Sequence, residues 1–120
     1  MKVLIIGGNG QLGKSLCSTK PENLDLISYS KEEFNLLDIE NCLKKIEKVK
    51  PNYVINAAAY TAVDKAETER ELVEIINAKN TYKIACLIDN LVGKFIQIST
   101  DFVFNGLKSS PYQTNDCLLY

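Results

Sequence analysis

The sequence predicts an α/β fold, a doubly wound parallel sheet, on three observations. Short apolar, β-branched runs alternate with stretches of helical periodicity from one end of the 120 residues to the other. The first of these runs, Val3-Leu4-Ile5-Ile6, leads straight into three spaced glycines, Gly7, Gly10 and Gly13. Polar clusters follow directly on the apolar runs, which in a parallel sheet crowds them along one rim.

Each element has its own warrant. Lys2–Ile6 is a strand, since consecutive apolar residues suit a strand covered on both faces. Gly7-x-x-Gly10-x-x-Gly13 is then the form of a strand, a tight turn and a helix N-terminus aimed at a pyrophosphate. Gly7 permits the turn, Gly10 lets phosphates approach the backbone, and Gly13 lets the helix pack close; Gly8 opens an overlapping Gly-x-Gly-x-x-Gly. The helix runs from about Gln11 to Ser18 and is stopped by Lys20-Pro21. Leu24–Ser28 is the second strand, followed by the polar turn Ser30-Lys31-Glu32-Glu33. Asp38 stands where an N-cap belongs, before Ile39, Cys42, Leu43, Ile46 and Val49 at helical spacing. Pro51-Asn52 ends that unit, and Tyr53–Asn56 is a buried strand. One long helix is expected over Glu69–Asn90, with Leu72, Ile75, Ile76, Tyr82, Ile84, Ala85 and Ile88 on a single broad face. Gly93 breaks the chain before a last strand, Lys94–Ser99, and after Phe104 the composition is that of an exposed loop. Right-handed crossovers place the first strand centrally, with later strands on either side.

The bulk properties bound the function. At 120 residues the chain reads as one domain, 1–120, small for a complete nucleotide-dependent enzyme. A net charge of -1 gives no reason to expect nucleic acid or a membrane surface as partner. No apolar stretch has the length of a membrane span, and the glycines interrupt the first apolar run too early for a secretory signal, so a cytoplasmic location is expected. The four cysteines, Cys17, Cys42, Cys86 and Cys117, are scattered and form no Cys-x-x-Cys, which reads as buried free thiols in a reducing compartment. The chain has no histidine, which removes Ser-His-Asp and Cys-His chemistry. Without histidine or a close cysteine pair, no metal site is expected.

Three segments are expected to meet at the rim: Gly7–Gly13, Asn56–Thr61 and Ser99–Asp101. Asn56-Ala57-Ala58-Ala59 ends a strand in small side chains, against which a flat ring or a ribose can lie; close helix packing is the alternative. A hydroxyl in Ser99-Thr100-Asp101 can hydrogen-bond a substrate carbonyl or its developing alkoxide. The competing reading is a capped turn with Asp101 facing water. At the end of the second strand an acid favours NAD and a base favours NADP. Here Ser28-Tyr29-Ser30-Lys31 offers no acid before Glu32, so the reading leans to NADPH, with NADH left open.

With these segments in place, the chain resembles the dTDP-4-dehydrorhamnose reductase family of extended short-chain reductases. The closest signature is Asn56-Ala57-Ala58-Ala59-Tyr60-Thr61-Ala62-Val63-Asp64-Lys65-Ala66-Glu67; the second is Ile98-Ser99-Thr100-Asp101-Phe102-Val103-Phe104-Asn105-Gly106. Pro111-Tyr112, with Asp116 shortly after, is similar to the family's acidic loop. The resemblance implies a Rossmann-type sheet and NADPH-dependent reduction of dTDP-4-dehydro-6-deoxy-L-mannose to dTDP-L-rhamnose. It implies Gly10, Gln11 and Leu12 at the pyrophosphate, Ser30 and Lys31 at the adenosine ribose, and Asn35 and Leu36 at the adenine. Ala58, Ala59, Tyr60 and Thr61 would line the nicotinamide half. Thr100 would be the hydroxyl of the catalytic triad, and Asp101 a contact to the nucleotide-sugar substrate. An aspartate usual in the family is replaced here by Asn35.

The family's Tyr-x-x-x-Lys pair does not occur in these 120 residues, and Tyr120 follows Asp116 too soon to be assigned as the proton donor. The expectation is therefore an incomplete Rossmann-type sheet: an N-terminal half lacking the later strands and the substrate lobe, inactive by itself, with Lys94–Ser99 as an unpaired apolar edge. The family also allows a homodimer. A second reading is a non-catalytic NAD(P)-binding or regulatory subunit similar to the regulatory β subunit of methionine adenosyltransferase. A flavodoxin-like module shares the alternation but leaves the Asn56–Glu67 signature without an explanation.

Overall fold

The computed structural model describes residues 1–116. Its elements are β1 (Lys2–Ile6), α1 (Gln11–Ser18), β2 (Asp25–Tyr29), α2 (Ile39–Val49), β3 (Tyr53–Asn56), α3 (Val63–Ala66), α4 (Arg70–Glu74), α5 (Asn80–Asn90) and β4 (Lys94–Gln97). A π-helical turn, Ile75–Lys79, joins α4 to α5, and a short 3-10 turn spans Asp101–Val103. The four strands form one parallel sheet in the order β2-β1-β3-β4. β1 is central and the winding reverses beside it, as right-handed crossovers require.

Alternation along the strands divides the sheet into two faces. Leu4, Ile6 and Val54 face the side on which α2 and α5 pack, and with Ile46, Ile84, Ile88, Cys42, Phe34 and Leu36 they form the core. Each of these aliphatic side chains contributes about 1.5–3 kcal/mol by leaving water. On the opposite face α1 packs against β2. Beyond it Val3, Ile5, Tyr53, Ile55 and Ile96 line an apolar groove of about 280 Å³ with Leu16. β4 is an edge among the described residues, with Ile96 43% and Ile98 41% exposed, as the sequence predicts for this strand.

Asp38 caps α2 as expected, accepting the N–H of Asn41 at 3.3 Å. Other expectations shift. The second strand lies one residue later than Leu24–Ser28, because Leu24 N–H turns back to Pro21 O at 3.1 Å. The last strand stops at Gln97 rather than Ser99, with one further bond from Ile98 N–H to Asn56 O at 3.2 Å. The long helix is interrupted by its π turn, and Tyr82, placed by periodicity on the buried face, is 71% exposed. Within α5, helical spacing puts Tyr82 about 200° round the axis from Ile84, which is why Ile84 and Ile88 are buried and Tyr82 is not. α3 was not expected. The thiols are also corrected: Cys42 is buried, Cys17 half-buried and Cys86 exposed, while Cys117 and Tyr120 lie outside the described residues. Among the described residues no helix is long and apolar enough to cross a membrane.

Candidate functional site

The parallel register brings Tyr29, Ile6, Asn56 and Gln97 into one row across the sheet, so the segments after all four strands emerge along a common rim. The turn after β1 is built from close approaches. Gly7 has φ +85°, and a Cβ there would lie 2.9 Å from Ala58 N on the neighbouring strand end. A Cβ on Gly13 would meet Gly7 O at 2.4 Å, so α1 seats directly on the turn. The N–H groups of Gly7 and Gly8 both donate to Tyr29 O, at 3.1 and 2.8 Å, tying the turn to the end of β2.

Gly10 differs from its neighbours. A Cβ there would meet Gly7 O at 3.3 Å, a tight approach but much less severe than those at Gly7 and Gly13. Gly10 is the N-cap of α1, no side chain caps that helix, and its first turn carries no acid. The free donors of Gln11, Leu12 and Gly13 at a positive helix end are the chemistry of an anion site. Gln11 and Leu12 are exposed on that turn.

The strand-end residues are held from below by side-chain amides. Asn56, fully buried, accepts Ala58 N–H at 3.2 Å through Oδ1 and donates to Gln97 Oε1 at 2.8 Å and Thr81 Oγ1 at 3.4 Å. Asn77, in the π turn, accepts Tyr60 N–H at 2.8 Å and donates to Tyr60 O at 3.2 Å. Asn80, also buried, donates to Leu36 O at 2.7 Å. Sequence reading placed Asn56 at the rim but missed its clamping role and missed Asn77 and Asn80 altogether. The available signal was three polar residues, Asn77, Asn80 and Thr81, inside an otherwise amphipathic helix, where asparagine is a poor helix former.

The remaining expected site residues are placed as follows. Ala58 and Tyr60 are half-buried, and Ala59 and Thr61 are exposed on the same segment. The Tyr60 hydroxyl donates to the Glu69 carboxylate, a bond that holds the phenol above its ordinary pKa. Ser30 and Lys31 begin the turn after β2; Ser30 N–H donates to Glu33 Oε2 at 2.9 Å and Glu33 N–H to Ser30 Oγ at 3.3 Å. Asn35 Oδ1 accepts Leu37 N–H at 3.1 Å. Leu36 spends its side chain in the core, leaving its backbone to the rim. Thr100 and Asp101 are exposed beyond β4, with Thr100 Oγ1 3.3 Å from Asp101 Oδ1.

The loop that follows is closed on itself. Phe104 and Tyr112 stack at 4.4 Å, Tyr112 OH donates to Asn105 Oδ1 at 3.1 Å, and Lys108 pairs with Asp116 at 2.6 Å. The Lys108 ammonium, together with the Gln113 N–H, holds the Asp116 carboxyl below its usual range.

Comparison with known proteins fits this geometry. The model of the RmlD substrate binding domain family matches residues 1–119. A dTDP-4-dehydrorhamnose reductase of Burkholderia thailandensis is 37% identical over 116 residues, 97% of this chain and 39% of the relative. The crystal structure of a dTDP-4-dehydrorhamnose reductase from Clostridium acetobutylicum superposes with a TM-score of 0.92 at 36% identity, covering 98% of this chain and 42% of that one. The enzyme of that name from Bacillus anthracis, solved in complex with NADP, gives a TM-score of 0.82 at 38% identity over 88% of this chain and 38% of that one. The chain thus spans about two fifths of the length of the curated relatives it matches.

Proposed function

Because the chain belongs to the RmlD substrate binding domain family, that of the dTDP-4-dehydrorhamnose reductases, we propose that it forms the cofactor-binding half of such a reductase. The cofactor is NADPH, with NADH as the alternative, and the family reaction is reduction of the 4-keto group of dTDP-4-dehydro-6-deoxy-L-mannose. The observation that carries the reading is the glycine turn. Its positions are closed to side chains at Gly7 and Gly13, less crowded at Gly10, and set against an uncapped helix N-terminus.

The residues present fit a dinucleotide. Gly10, Gln11 and Leu12 hold the pyrophosphate through backbone N–H groups. Ser30 and Lys31 stand at the adenosine ribose, with Asn35 and the Leu36 backbone at the adenine. Ala58 to Thr61, fixed by Asn56 and Asn77, line the nicotinamide side. When bound, the cofactor would supply a hydride to the carbonyl carbon. Thr100 would donate a hydrogen bond to the oxygen of that carbonyl, and Asp101 would contact the sugar nucleotide.

A proton must reach that oxygen as the hydride arrives, and these 120 residues contain no Tyr-x-x-x-Lys to deliver it. Tyr60 is committed to Glu69. The 120-residue polypeptide alone therefore binds NADPH without turning over the keto sugar. A regulatory or carrier role is the second reading, favoured by the contrast between a well-packed cradle and the exposed Thr100-Asp101 step. Mixing the protein with NADPH and the keto sugar, while following both nucleotide fluorescence and absorbance, tests the proposal. Saturable binding with no NADPH oxidation is expected. Turnover would refute the missing-proton argument, and absence of binding would refute the cofactor reading.

A further inference from the structure

β4 ends the sheet among the described residues, and its outer side presents backbone donors and acceptors. Lys94 N–H donates to Asn52 O at 2.9 Å and Ile98 N–H to Asn56 O at 3.2 Å, so the even-numbered residues turn their backbone groups toward β3. The N–H and C=O groups of Phe95 and Gln97 therefore point to the open edge. Side chains alternate across the sheet. Phe95 packs against the core, whereas Ile96 lines the apolar groove of the opposite face, and alternation puts Lys94 and Ile98 on that face too. Ile96 and Ile98 are both exposed.

This edge is complementary to itself in one register. When β4 meets a second β4 antiparallel, with Ile96 opposite Ile96, Phe95 of each chain faces Gln97 of the other. These are the residues whose backbone groups point outward, so each pair exchanges both N–H···O=C bonds. The two Ile96 residues become the closer, non-hydrogen-bonded pair at the two-fold axis, with their side chains on one face. A slip by one residue sets outward-pointing groups against inward-pointing ones and forfeits the bonds. The ends match in charge as well. Lys94 opens β4 and Asp101 follows its end, both exposed, so antiparallel pairing brings a cation of one chain toward an anion of the other at both ends. The apolar grooves of the two copies then lie on the same side of the joined sheet, bridged by Ile96 and Ile98 of each.

We propose that the β4 edge is a self-association surface, on which a second copy of this chain extends the sheet across a two-fold axis through an antiparallel β4–β4 pair. The inference stands apart from the cofactor reading. A four-residue edge with its flanking isoleucines buries well under the ~800 Å² per partner of a stable interface. The dimer is accordingly weak and reversible, with a Kd on the order of 10–100 µM.

Sedimentation velocity between about 5 µM and about 1 mM should show a monomer–dimer equilibrium within that range. Ile96→Lys sets like charges against each other at the axis, and Ile96→Glu does so with the opposite sign. Each variant alone should associate about tenfold more weakly. Because the residue at the axis meets its own counterpart, an equal mixture of the two variants should recover a dimer containing one of each. Thermal melts establish that both variants are folded. A protein monomeric throughout, dimers indifferent to both substitutions, open-ended association beyond the dimer, or a mixture of folded variants that stays monomeric would each overturn the proposal. Should either Ile96 variant unfold, the charged ends carry the test. Lys94→Glu should weaken the dimer, and adding Asp101→Lys to it should restore it; no weakening, or no recovery, would count against the pairing.

Discussion

The glycine turn after β1 and the polar step after β4 sit on the same rim, yet they are made by opposite means. The turn follows the most buried strand of the sheet, and its shape comes from side chains that are absent: Gly7 and Gly13 press against backbone at 2.9 and 2.4 Å. The Ser99-Thr100-Asp101 step follows an edge strand whose residues are mostly exposed, and whatever it does depends on side chains that are present. A backbone site of the first kind is complete once its two strands and one helix are packed. A hydroxyl of the second kind becomes useful only when something else bounds the space it faces.

The largest expected effect lies in the turn. Gly13→Val drives a side chain into the Gly7 carbonyl and the Gly8 backbone, neither of which can give way, and should cost about 3 kcal/mol. Urea unfolding would show it, and a variant as stable as the original would mean that α1 does not seat as described. Next is the amide that joins the two regions. Asn56→Leu removes the bonds to Ala58, Gln97 and Thr81 together, so a loss of about 2 kcal/mol is expected by the same measurement. The reverse sign is expected at the loop before β4. Val92 has φ +58° and is 92% exposed, so Val92→Gly should stabilise by about 1 kcal/mol by relieving a left-handed β-branched residue.

Legibility in the sequence divided along the same line. The β1 turn, α1, the Asp38 cap and the central position of β1 were all readable, because each rests on local rules: glycine spacing, a capping side chain, crossover handedness. The π turn was not, since periodicity assumes a uniform helix; Tyr82 was assigned to a face too broad for one helix, about 200° round the axis from Ile84. The asparagine clamps were hidden for a related reason. Asn77 and Tyr60 are 17 residues apart and Asn80 and Leu36 are 44 apart, so nothing local links them. The reciprocal Ser30–Glu33 bonds form a capping box that was present as a motif, but the sequence drew notice to its hydroxyl and its lysine, not to the carboxylate that takes up the Ser30 N–H.

The most direct test of the account compares one residue from each region by calorimetry with NADPH. Gly10→Val adds a side chain at the least crowded of the three spaced glycines, at a stability cost of about 1 kcal/mol, the scale of an unfavourable N-cap, and should abolish binding. Thr100→Ala, at the rim beyond β4, should bind NADPH as the original does. Equal loss in both variants, or undiminished binding by Gly10→Val, would contradict the claim that the cofactor is held at the glycine turn and not at the step beyond β4.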